Sequence, residues 1–191
     1  EGDYDRDLGS QTETNLTNCT ITSKLELHGN AHANLTDGLI KGNIETTNGT
    51  VKYTAKNTNK MQVNGKIILD IDSVLRLQDC TDLTCGGLEI TNSFVEGLSG
   101  TLQVTGNMLI DCSTSVSLEG LTLNKMTVTS NLVIRDADLT VTCPSVTVGG
   151  SIEVYDVNDY KPKTSVVFTG ADAVIKVKGT VNIHDSGYLY I

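Results

Sequence analysis

The sequence predicts an all-β chain wound as a parallel β-helix, a β-solenoid of about eight coils with three short strands in each and roughly 21 residues per coil. Three observations lead there. The first is a phrase of the form apolar-x-apolar-x-Gly-x-apolar-x-apolar that returns along the chain. It is clear from Met61 to Leu69, Leu102 to Ile110, Met126 to Ile134, Val146 to Val154 and Ile175 to Ile183, and weaker copies begin at Leu25, Ile44 and Leu83. The starts are separated by 19, 17, 22, 19, 24, 20 and 29 residues, within the range of repeats that stack into solenoids. The second is the period of two inside each phrase, which sends alternate side chains to opposite faces of an extended strand. The third is composition. The chain has 18 Gly, 2 Pro and no Trp, with abundant Thr, Asn and Val, as expected of many short strands joined by tight corners.

Each coil is built in a fixed order. A first strand leads to a corner at Gly65, Gly106, Ser130, Gly150 or Gly179, where glycine is expected because its backbone reaches angles closed to other residues. A second strand follows the corner. A third is expected at residues 74–77, 93–95, 116–118, 139–141, 166–168 and 189–191. Stacking puts every inward apolar residue above its counterpart one coil away, with neighbouring strands about 4.8 Å apart, so eight coils make a rod on the order of 40 Å long. Parallel crossovers are nearly always right-handed, and that hand is expected here. Antiparallel hairpins in a sandwich would not need one strand-corner-strand phrase to recur at this interval.

The domain reading is a polar N-terminal arm over residues 1–20 and a single β-helix over 21–191. The arm is acidic and lacks alternation (Glu1, Asp3, Asp5, Asp7). Residues 21–60 are expected to form irregular coils, with Ala31, Ala33 and Thr46 where larger apolar groups belong. The regular coils run over 61–191, interrupted by a loop insertion at 158–163, where Pro162 cannot donate to a ladder.

A net charge of −9 excludes a nucleic-acid surface, which needs clustered Lys and Arg, and no apolar run reaches the roughly 20 residues of a membrane span. Glu1 is expected to be a mature or trimmed start. Asn15, Asn18, Asn34 and Asn48 head Asn-x-Thr sequons in the N-terminal quarter and are glycosylation candidates. Together these features place the protein outside the cell or on its surface. There, the five cysteines (Cys19, Cys80, Cys85, Cys112, Cys143) become disulfide candidates, one left over from an odd count. Cys85 occupies an inward strand position and reads as a small core residue. Cys19, in the polar arm, is the better candidate for a cross-link.

Three features bear on function. Ile68, Leu109 and Val133 occupy outward positions of second strands, and an exposed aliphatic stripe marks contact with another protein. The chain's last residues, Tyr188, Leu189, Tyr190 and Ile191, form a strand with no cap after it, an open coil end that pairs with another subunit or was cut there. Asp111, Asp136, Asp156 and Asp185 follow second strands in successive coils. Stacked carboxylates repel unless compensated by calcium or by hydrogen bonds from their own turns. The turn hydrogen bonds are the preferred reading, calcium the alternative, and no other cofactor is expected.

Over residues 25–191 the repeat resembles the right-handed parallel β-helix superfamily that includes pectate lyases and polygalacturonases, which implies the fold and an acidic glycan as substrate. No Asp pair stands with an Arg in a recognisable motif, so no catalytic residue carries over and an enzyme is not expected. The Gly-cornered strands also resemble bactofilins, which implies end-to-end polymerisation. Six Tyr, two Phe and no Trp argue against a sugar-stacking platform. The Thr127/Thr129 and Thr140/Thr142 pairs resemble those of ice-binding solenoids, but they fall on different strands and make no single flat array. The expected role is therefore a secreted structural protein that assembles with itself into a filament, sheath or surface layer. The alternatives are an adhesin or tail-fibre-type module binding a receptor or glycan through the 158–163 loop, and, third, a polysaccharide lyase or hydrolase.

Overall fold

A computed structural model describes residues 6–8, 13–112, 121–157 and 164–190, with the backbone alone at 6–8 and 138. All regular structure among them is β-strand, wound as a parallel solenoid of about eight turns. Every strand pairing is parallel and joins residues one coil apart.

Each coil contributes to three faces, and a single column of stacked inward residues defines each. On the first face the column runs Ile21, Ile40, Val63, Cys85, Val104, Val128, Val148 and Val177. On the second it runs Leu27, Thr46, Leu69, Ile90, Ile110, Ile134, Val154 and Ile183. On the third it runs Ala33, Val51, Leu75 and Val95, then resumes as Leu139, Val166 and Leu189. Away from the last coil these positions are almost wholly buried. The period of two in sequence thus becomes one continuous apolar interior, which each coil shares only with its neighbours.

This register corrects the phase of the repeat at its beginning. Leu25 and Ile44 stack on Ile67 in the second face, not on Met61 in the first. The 17-residue step from Ile44 to Met61 arose from comparing strands of different faces. Residues 13–20, expected in an arm, belong to the solenoid: Glu13–Ile21 pairs along its length with His32–Ile40, and Arg6–Leu8 pairs with Leu25–Leu27. Thr14 and Leu16 lie over Ala33 and Leu35, so polar composition there concealed a strand whose inward residues are small or isolated. The expected third strand at 116–118 and the 158–163 loop fall outside the described residues.

The corner glycines are needed for a different reason from the one expected. None of Gly65, Gly106, Gly150 or Gly179 has a left-handed φ. A Cβ on Gly106 would instead stand 2.4 Å from the carbonyl oxygen of Gly86 in the coil below. Stacked corners leave no room for a side chain. Left-handed backbone is found at the next corner, between second and third faces, where Asn30, Asn48, Asp72, Asn92, Asp136 and Asp185 have φ between 46 and 66°. Asn and Asp tolerate that region better than other residues carrying a Cβ. Inside this corner Ser73 and Ser93 are fully buried: the Ser73 hydroxyl accepts from Gly49 N, and that of Ser93 from Ser73 N.

Candidate interaction surfaces

The outward column at the centre of the second face reads Glu26, Glu45, Ile68, Glu89, Leu109, Val133, Glu153 and Asn182. Ile68, Leu109 and Val133 are each partly exposed. The three lie in one column, with Glu89, which pairs with Lys66 at 2.6 Å, between Ile68 and Leu109. Only Leu109 and Val133 are direct neighbours.

Beside them lies a cluster that sequence reasoning missed. Arg135 stacks between Asp111 and Tyr155 in the register, its guanidinium 5.6 Å from the Tyr155 ring centroid. The Tyr155 ring stacks on His184, centroids 4.3 Å apart and planes 2° from parallel. His184 Nε2 lies 3.0 Å from Glu153 Oε2, and Asn182 Nδ2 donates to Glu153 Oε1 at 2.7 Å. These bonds, that from His184 foremost, hold the Glu153 carboxyl below its ordinary range. Arg135, Tyr155 and His184 each stand three residues after the start of a second-face strand, the signal that aligning phrases one residue further would have revealed.

The Asp residues do not make one column. Asp111 ends its strand in register with Arg135, whereas Asp136, Asp156 and Asp185 lie one position later, in the corner. Asp136 Oδ1 accepts from the backbone N–H of Val157 at 2.7 Å, a bond from the next coil rather than from its own turn. Burial lifts the Asp111 carboxyl above its usual range, against the pull of Arg135. Among the described residues no three acidic, His or Cys side chains are grouped to hold a metal ion.

The cysteines form no disulfide, contrary to expectation. Cys80, Cys85, Cys112 and Cys143 are buried, because they take inward positions where the fold needs small apolar groups. Cys80 and Cys143 occupy equivalent corners, each thiol donating to a carbonyl two residues on, at 3.2 Å. Cys19 is half-buried and, with Ile21, Leu35, Asp37, Gly38, Ile40 and Tyr53, lines a shallow crevice with no room for a water molecule. Burial raises its thiol too. Of the sequon residues, Asn15, Asn18 and Asn48 are exposed; Asn18 lies inside the strand Glu13–Ile21 with φ of 50°, and Asn48 in a bend with φ of 55°. Asn34 is half-buried in a strand, its Nδ2 donating to Glu13 and Asn15.

At the C-terminal coil, Tyr188 and Tyr190 are 39 and 53% exposed on the outer surface of the third face, while Leu189 points inward. Ile191 falls outside the described residues. The uncovered interior is formed chiefly by Val181 and Ile183, 45 and 47% exposed, though their partners Ile152 and Val154 one coil earlier are fully buried. Extending the inward column of the second face by one coil would have identified both.

The first face differs from the others. Its central outward column runs Gln62, Thr84, Gln103, Thr127 and Thr147. The next outward positions are Asn64, Gly86, Thr105, Thr129 and Gly149, carried on the same inter-coil ladder. No charged residue stands in either column through these five coils; Lys176 and Lys178 come only in the next.

The fold defines the class: a parallel β-solenoid. No helix among the described residues is long and apolar enough to cross a membrane. No protein-family model, curated protein or solved structure matches this chain, and its resemblance to pectate lyases and bactofilins is one of repeat pattern alone.

Proposed function

We propose that this protein is an extracellular structural element whose solenoids stack coil on coil with further copies into a filament, sheath or surface layer. The observation that carries the reading is the exposure of Val181 and Ile183, 45 and 47%, on the interior side of the last described coil, where one edge of each strand has no partner among the described residues. An open parallel edge over apolar residues is a template for another strand of the same kind. The occupant in this reading is the first described coil of a second copy, whose strand Glu13–Ile21 has one edge without a partner among the described residues. A head-to-tail contact of this sort does not close on itself and generates a linear polymer, as the resemblance to bactofilins implies.

The Leu109 and Val133 pair, with Arg135 and Tyr155 beside it, supplies a lateral contact of the residue types that dominate interfaces. Exposure of Asn15, Asn18 and Asn48 suits glycosylation outside the cell. Disulfide cross-links have no part in this reading. The test is light scattering and electron microscopy of the purified chain over a range of concentrations. Concentration-dependent filaments are expected, abolished by V181K/I183K. A monodisperse monomer at high concentration would overturn the proposal.

A further inference from the structure

We infer that the first face is a binding surface for a neutral, hydroxyl-rich polymer, a polysaccharide chain lying along the solenoid axis. This stands apart from assembly, which uses the coil edge rather than the face.

The argument begins with charge. The chain carries −9, yet five successive coils place only amide, hydroxyl and glycine groups in two of the three outward columns of this face, the charges of Lys60, Asp82 and Lys125 being confined to the column at the start of its strands. An acidic molecule repels anionic polymers over most of its surface, whereas a neutral chain lying along these two columns displaces no ionic hydration shell. The second step is hydrogen-bonding capacity. Thr84, Gln103, Thr127, Thr129 and Thr147 have no side-chain hydrogen bond among the described residues. Hydroxyls and amides both donate and accept, which suits sugar hydroxyls, since these do the same.

The third step is spacing. Parallel stacking repeats these groups about every 4.8 Å along the axis and about every 6.6 Å across it, over a length of roughly 19 Å. Each contact exchanges a water for a sugar hydroxyl and gains little. Affinity therefore comes from many weak contacts engaged by one polymer. The protruding amides of Gln62 and Gln103 and the gaps at Gly86 and Gly149 interrupt the plane. An irregular surface of that kind fits a flexible chain rather than an ice lattice. The face also differs from the acidic-glycan chemistry that the pectate lyase resemblance implies.

The experiment is native affinity electrophoresis of the 191-residue chain in the V181K/I183K background, so that assembly does not retard it. Gels contain hydroxyethylcellulose, mixed-linkage β-glucan, galactomannan or polygalacturonate. Retardation by at least one neutral polymer is expected, weakened about tenfold or more by Thr105→Glu with Thr129→Glu. Gln103→Ala with Thr127→Ala, which adds no charge, should weaken it in the same direction, and Leu109→Gln on the second face should leave it unchanged. Circular dichroism verifies that each variant is folded. The inference is overturned if no neutral polymer retards the chain, if polygalacturonate retards it equally, or if the first-face variants bind as the parent does. Ice-crystal shaping without any polysaccharide binding would overturn it as well.

Discussion

Gly106 shows how stacking dictates single residues. Its missing side chain lets the corner lie against the Gly86 carbonyl, a backbone atom that cannot swing aside. Gly106→Ala should cost about 1–3 kcal/mol, several degrees in Tm. Gly87→Ala should cost less, since its Cβ would come nearest the flexible Lys66 side chain at 3.1 Å and reach the Asn107 carbonyl oxygen only at an ordinary 3.5 Å; thermal melts of the two variants test the contrast. The buried thiols make a second prediction. Burial pushes Cys85 up to about 12 and Cys80 to about 11, so the folded chain keeps protons that the unfolded chain releases above roughly pH 8.5. This contribution is whole below that pH and is lost as pH rises toward 11 and 12. Calorimetry should find Tm falling above about pH 9, with part of that slope removed in Cys85→Ala.

At the scale of elements, the bonds between coils matter more than those within them. Asp37 is buried and accepts from Lys56 N, Asn57 N and Asn57 Nδ2, fixing the turn that joins the third strand of one coil to the first strand of the next. Asp37→Ala strands those donors and should cost about 1–3 kcal/mol. Hydrogen exchange at Lys56 and Asn57 should accelerate before exchange elsewhere. Asn43, Asn107 and Asn131 do comparable work at the first corner, each side-chain oxygen accepting a backbone N–H from the following coil. Glu153 links the last two coils through Asn182 and His184. Its carboxyl is held below the ordinary value of 4.5, so its contribution is present above that pH and lost as pH falls through the lower folded value. Glu153→Gln should flatten the acid limb of a Tm-against-pH profile.

Across the whole molecule, contacts reach only from one coil to the next, so stability is close to a sum of coil and interface terms. In the middle coils the inward side chains are almost fully buried, whereas in the last coil Ile175, Val177 and Leu189 are only partly covered and Val181 and Ile183 less so. Amide exchange in the dispersed chain should therefore be slowest around Lys60–Asp70 and Asp82–Thr91 and fastest from Val174 onward. Polymerisation should slow exchange at Val181–Ile183 specifically.

Much of this architecture was legible in the residues. Alternation with a period of two, repeated near every 21 positions, determined the parallel coil and nearly all of the inward side chains, because a buried column tolerates only apolar or small groups wherever it recurs. Face and phase were not legible. Leu25 and Ile44 fit the same phrase as Met61 although they lie on another face, since all three faces obey the same alternation and linkers of unequal length hide the register. The tertiary structure alone decided that the Arg135 guanidinium lies against the Tyr155 ring, that this ring stacks on His184, and that His184 and Asn182 both bind Glu153. Outward positions have no burial requirement to betray their neighbours; what lies beside them is set by pairing across coils some twenty residues away.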